Sequence, residues 1–175
     1  MRQPNKGNLA PENGHNFKHI IFNEIQRLNP GVVHITEDKT KRFWECLPCK
    51  GDLAMGGTEL QVVNGRQWDV FYADPHAFPE GLLIEAKTQT SSGTAYEKVA
   101  YALLRASNAA LKHEVQTAIV VGGPGFEKGA GLRVVQECEA WKHQFRLEAH
   151  IFPSLRDFST WFGKKIRTSK LRAVE

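Results

Sequence analysis

Cysteine is scarce in this sequence: 175 residues carry three, an odd number spread too thinly for a disulfide framework, so reduced thiols are expected. No apolar run approaches the ~20 residues that span a bilayer. The opening Met1-Arg2-Gln3-Pro4-Asn5-Lys6 also lacks the apolar core of a secretory signal. These absences argue against secreted disulfide scaffolds and membrane spans, and a cytoplasmic protein without membrane contact is the expectation. A strong charge of one sign is missing too. The 23 Lys+Arg and 19 Asp+Glu leave a net +4, a mild excess that suits a polyanionic partner without demanding one. Cys46-Leu47-Pro48-Cys49 is a lone Cys-x-x-Cys with no second pair, so zinc there would need His34 or His76, and ordinary thiols are the simpler reading.

What is present is enough apolar residue, 41% of the chain, for one sizeable core and too little length for two. Residues 1–15 hold Pro4, Gly7, Pro11 and Gly14 without a period and read as a flexible lead-in. Residues 16–163 read as the folded domain, and 164–175 as a basic tail with Lys164, Lys165, Arg167, Lys170 and Arg172.

Within the domain, Phe17, Ile20, Ile21, Ile25 and Leu28 recur at helical spacing after a plausible N-cap at Asn16. Val32–Ile35 reads as a short strand, and 36–57 as an irregular charged stretch. Two strands, Thr58–Val63 and Arg66–Tyr72, flank Asn64-Gly65, a strong hairpin signal. Thr94 and Glu97 have the form of a capping box, opening a helix to about Lys112 whose inner face would be Val99, Ala100, Leu103, Ala106, Ala110 and Leu111. Lys98, Tyr101 and Arg105 then lie outward or towards a site. Gln116–Val121 reads as a strand buried on both faces, closed by a plain Gly122-Gly123-Pro124-Gly125 loop, since the ending that cradles a nucleotide is lacking. Leu132–Phe145, Leu147–Phe152 and the aromatic segment after Ser154 add a helix, a strand and a final helix. The order predicts an α/β fold, a mixed sheet with helices on both faces.

The stretch around which these elements are arranged is Leu82-Leu83-Ile84-Glu85-Ala86-Lys87. As a strand it alternates an apolar face with one that sets Glu85 and Lys87 roughly 7 Å apart. Burying charge costs several kcal/mol unless a partner or metal compensates, so such a pair at the core edge points to chemistry. Asp69, in the preceding apolar run Trp68–Tyr72, is the third member of the pattern. Glu24 falls inside the apolar arc of the first helix, where it is either a rim glutamate with its stem packed inward or a further metal carboxylate, with Glu59 as a fallback.

Asp69 followed by Glu85-x-Lys87, in this order of elements, resembles the PD-(D/E)xK nuclease superfamily. Its core is a helix, a three-stranded meander, a helix and a strand, here matched over about Asn16 to Val121, with an α-β-α extension behind it. The run from Glu85 to Lys98 is similar to the segment after the catalytic strand in some type II restriction endonucleases. One departure is that Asp69 follows Trp68, where the family's name has proline. The resemblance implies a metal-dependent endonuclease acting on DNA phosphodiester bonds. Asp69 and Glu85, with Glu24 as the first-helix acid, would bind Mg²⁺, or Mn²⁺ in its place. Lys87 would orient the attacking water and stabilise charge, and Gln89 would help position water or phosphate. Lys98, Arg105, Lys164, Lys165 and Arg167 are candidates for DNA phosphates, and a homodimer would suit double-strand cleavage. A nuclease toxin paired with an immunity protein, and a non-catalytic DNA-binding relative, are the alternatives.

Overall fold

The computed structural model describes residues 9–30, 33–34, 52–55, 68–90 and 95–172. Five helices and six strands follow the order α1 (Leu9–Leu28), β1 (Val33–His34), β2 (Asp52–Met55), β3 (Val70–Asp74), β4 (Phe78–Thr88), α2 (Ala95–His113), β5 (Gln116–Gly122), α3 (Pro124–Glu127), α4 (Gly129–Phe145), β6 (His150–Phe152) and α5 (Leu155–Arg172). The strands form one mixed sheet in sequence order, antiparallel from β2 to β4 and parallel at β1–β2, β4–β5 and β5–β6. The expected mixed sheet between helices is what forms. No helix among the described residues is long and apolar enough to cross a membrane.

Period 2 along β4 and β5 divides the core in two. Leu83, Ile119 and Val121 face Val99, Leu103 and Ala106 of α2 and Val135 of α4. Leu82, Ile84, Ala118 and Val120 face Ile21 and Ile25 of α1 and Phe158, Phe162 and Ile166 of α5. The connection between β3 and β4 is short because the Asp74 carboxylate accepts the N–H groups of His76 at 3.0 Å and Ala77 at 2.8 Å, folding the chain back at once. Asn29 donates to the Tyr72 hydroxyl at 2.7 Å and accepts from Lys170 at 3.3 Å, which ties the ends of α1 and α5 to β3. Burial pushes the Tyr72 phenol above its usual range, so it stays a neutral partner there.

Several boundaries differ from the sequence reading. The first helix begins at Leu9, not Asn16, because proline in a first turn removes an N–H that has no intrahelical acceptor anyway. β2 lies at Asp52–Met55, inside the stretch that read as irregular, and it pairs with β3 through Leu53↔Tyr72 and Met55↔Val70. The run Asp52-Leu53-Ala54-Met55 has no apolar/polar alternation to mark it as a strand. Thr58–Val63, Asn64-Gly65, Cys46, Cys49 and Glu59 lie outside the described residues. On α2 the buried stripe includes Ala102 and Ala109, while Leu111 is 69% exposed. It sits about 120° around the helix from Val99, and the small alanines let α2 lie close to the sheet. Residues 164–172 are not a loose tail but the second half of α5. Ile166 and Ser169 are buried and continue the stripe begun by Phe158 and Phe162.

This correction predicts a measurable asymmetry. Ile166→Ala should lower unfolding free energy by about 2–5 kcal/mol in urea titrations, whereas Arg167→Ala on the exposed side should change it by less than about 0.5 kcal/mol. Two equally neutral substitutions would restore the frayed tail.

Candidate active site

β4 is the last strand of the antiparallel meander β2–β4 and lies inside the sheet between β3 and β5, and its register with β3 (Val70↔Ile84, Phe71↔Leu83) sets Asp69 opposite Glu85 when continued by one residue. Asp69 donates its N–H to Ile84 O at 3.1 Å and then leaves the ladder. Its Oδ2 instead accepts the N–H of Ala86 at 2.8 Å, so the carboxylate is fixed at the peptide between Glu85 and Lys87. The sequence pattern Asp69, Glu85, Lys87 thus becomes one local group. Asp69 and Lys87 are half-buried and Glu85 is buried, 7% exposed.

A carboxylate that deep needs compensation, since desolvating it costs several kcal/mol. Glu85 receives it from two cations: Lys87 Nζ donates to Oε1 and Arg105 Nη2 donates to Oε2. Lys87 also reaches Ala86 O at 3.4 Å. Arg105 comes from the middle of α2, with its guanidinium carbon 4.7 Å from the centre of the Trp68 ring. Its Nε and the Trp68 indole N–H are buried and find no acceptor among the described residues. The four side chains therefore balance two negative and two positive charges. Sequence reasoning placed Arg105 on a face for phosphates and missed that it holds Glu85. The available signal was weak: Arg105 follows Val99 and Leu103 along α2 and falls next to their buried stripe.

Gln89 follows at the strand's exit, where the glycine loop after β5 grips it. Gln89 donates its N–H to Gly122 O at 3.1 Å, and Gly125 donates to Gln89 O at 2.8 Å. Gly123 has φ 89°, and a Cβ there would stand 2.6 Å from Gln89 O. A Cβ on Gly125 would stand 2.6 Å from Gln89 Cγ. The two glycines are thus required by the close passage of Gln89. The plain loop expected from sequence is a backbone clamp on the chain leaving the active strand.

Other candidates are placed elsewhere. Glu24 is bound by Arg27, with Nε to Oε2 and Nη2 to Oε1 both 2.7 Å. The Arg27 hydrogen bond lowers its pKa below the usual carboxylate value, against a smaller desolvation, with a further bond to Ser159 of α5. It thus belongs to the α1–α5 layer, on the opposite side of the sheet from Glu85, and the structure does not bring it to Asp69. Lys164, Lys165 and Arg167 are exposed on α5, in that same opposite layer. Lys98 is exposed seven residues before Arg105, on the same face of α2 about 10 Å along the helix.

Among the described residues no group of three or more His, Cys, Asp and Glu could hold a metal. Asp69 and Glu85 do lie on neighbouring strands with Asp69 bonded to the Ala86 peptide, and Mg²⁺ is commonly held by one or two carboxylates with water and substrate phosphate completing its shell. The donor set fits a hard divalent cation that arrives with a phosphate, and does not fit an all-protein cage. A family model described as a PD-(D/E)XK nuclease superfamily domain matches residues 30–166. No curated protein and no solved structure matches the chain.

The clamp makes a prediction of its own. Gly125→Ala should cost about 1–3 kcal/mol by overpacking, and a double-mutant cycle with Gln89→Ala should be non-additive by more than about 0.5 kcal/mol. Additive effects on urea unfolding would show that the two residues do not press on one another.

Proposed function

Because the chain belongs to the PD-(D/E)XK nuclease superfamily, we propose that it is a Mg²⁺-dependent endonuclease that hydrolyses DNA phosphodiester bonds. The observation that carries this reading is the Ala86 N–H bond to Asp69 Oδ2, which locks the Asp69 carboxylate beside Glu85 and Lys87. A metal held by Asp69 and Glu85 would supply Lewis-acid polarisation of the phosphate and offset charge on the leaving oxygen.

Within that setting the protein's own groups have distinct tasks. Lys87 carries three N–H donors, of which Glu85 Oε1 and Ala86 O take two. The remaining donor can orient the attacking water or meet the oxygen on which charge develops. Gln89, held by the glycine clamp, keeps the strand exit in place beneath the substrate. Lys98 and Arg105 share one face of α2 with the site, so the phosphates flanking the scissile bond are met there. The cations of α5, across the sheet, are not part of that surface. A DNA substrate suits the chain's mild positive charge, which gives sequence-independent attraction.

Plasmid DNA incubated with and without Mg²⁺ tests the reading. Cleavage should require the cation and fall about a hundredfold or more in Asp69→Asn and Lys87→Ala proteins that melt as the parent does. Undiminished cleavage by the Lys87→Ala protein contradicts the mechanism, and cleavage of an RNA of matched sequence with DNA left intact would reassign the substrate.

A further inference from the structure

Each oxygen of the Glu85 carboxylate accepts from a cation, Oε1 from Lys87 and Oε2 from Arg105, so a metal ion approaching either oxygen meets a positive charge already seated there. Lys87 is two residues away on the same strand and is also held by Ala86 O. Arg105 reaches in from a different element, on a long side chain that lies over Trp68. The indole face gives the guanidinium a seat that does not depend on the carboxylate. Its Nε is buried and has no acceptor among the described residues. A guanidinium fork with spare donors suits a phosphate as well as a carboxylate.

We propose that Arg105 is an exchangeable counter-ion of Glu85. It occupies Oε2 in the metal-free protein, yields that oxygen to the divalent cation, and transfers its guanidinium to the substrate phosphate. The inference rests on the reading of Glu85 as a metal-binding carboxylate and adds to it a gate on metal entry. In the free protein Arg105 opposes the cation, and an incoming phosphate removes that opposition. Metal and nucleic acid therefore strengthen one another's binding, reciprocally. The site is weakly metal-binding by itself and is completed by its substrate.

Mn²⁺ binding to the full chain without DNA, followed by the electron paramagnetic resonance of the free ion, tests the gate. Arg105→Gln should bind Mn²⁺ about tenfold more tightly than the parent, as expected when a charge-assisted hydrogen bond to the ligand oxygen is removed. Arg105→Met keeps the aliphatic stem over Trp68 and serves if the glutamine variant unfolds. Both variants should nonetheless cleave DNA at least about tenfold more slowly at saturating Mn²⁺, because the phosphate has lost its partner. Unchanged or weaker Mn²⁺ binding in both, with Glu85→Gln weaker than the parent, overturns the gate while leaving the metal site intact. Tighter binding with undiminished cleavage overturns the transfer to phosphate. If Glu85→Gln binds Mn²⁺ as the parent does, the metal-ligand reading itself fails, and the inference with it.

Discussion

A buried carboxylate between two cations is the constraint on which the rest of the structure depends. Glu85 sits on the central strand, closed off by α2 on one side and flanked by Asp69 on the other, and it is tolerable there only because Lys87 and Arg105 neutralise it. Meeting that condition dictates much of the fold. The β3–β4 register has to deliver Asp69 to Ala86, α2 has to pack so closely that Arg105 reaches across, and Trp68 has to provide the surface on which the guanidinium lies. The alanines of α2 serve the second requirement, and the register shift between Tyr72 and Asp74, past the Asp74 turn, belongs to the first.

The two-sided sheet also separates tasks. One layer, built from α2, α3 and α4, covers the face that carries Glu85 and Lys87. The other, built from α1 and α5, is a structural layer whose polar groups satisfy each other, as Glu24 does with Arg27 and Asn29 with Tyr72 and Lys170. This division puts the Glu24 carboxylate of α1 and the dense run of cations on α5 on the opposite side of the sheet from Glu85 and Lys87.

The parts of the fold legible in the sequence are those whose signal is periodic and long. Alternation marked β4, a continuous apolar run marked β5, helical spacing marked α1, α2 and α5, and Asp69 could be grouped with Glu85 and Lys87 because two adjacent strands carry them. β2 escaped because Asp52-Leu53-Ala54-Met55 carries no alternation. Arg105 escaped because a cation at the border of a buried helical stripe looks like any solvated residue until its partner on the strand beneath it is known. The clamp on Gln89 escaped for a similar reason: a glycine pair announces a close approach but not what approaches. Ile166 and Ser169 escaped because a run of cations masked the apolar stripe interleaved with it.

The central claim is that Asp69 and Glu85 together form the cation site of a nuclease. The most direct measurement is anomalous X-ray diffraction at the manganese edge from crystals of the full chain grown with Mn²⁺ and a short DNA duplex. The account predicts one or more Mn²⁺ peaks coordinated by oxygens of both Asp69 and Glu85 and by a DNA phosphate, with Lys87 Nζ outside the coordination shell and Glu24 still paired to Arg27. Mn²⁺ bound elsewhere, with Glu85 still held by Arg105 and Lys87 while DNA occupies the face of α2, would contradict it.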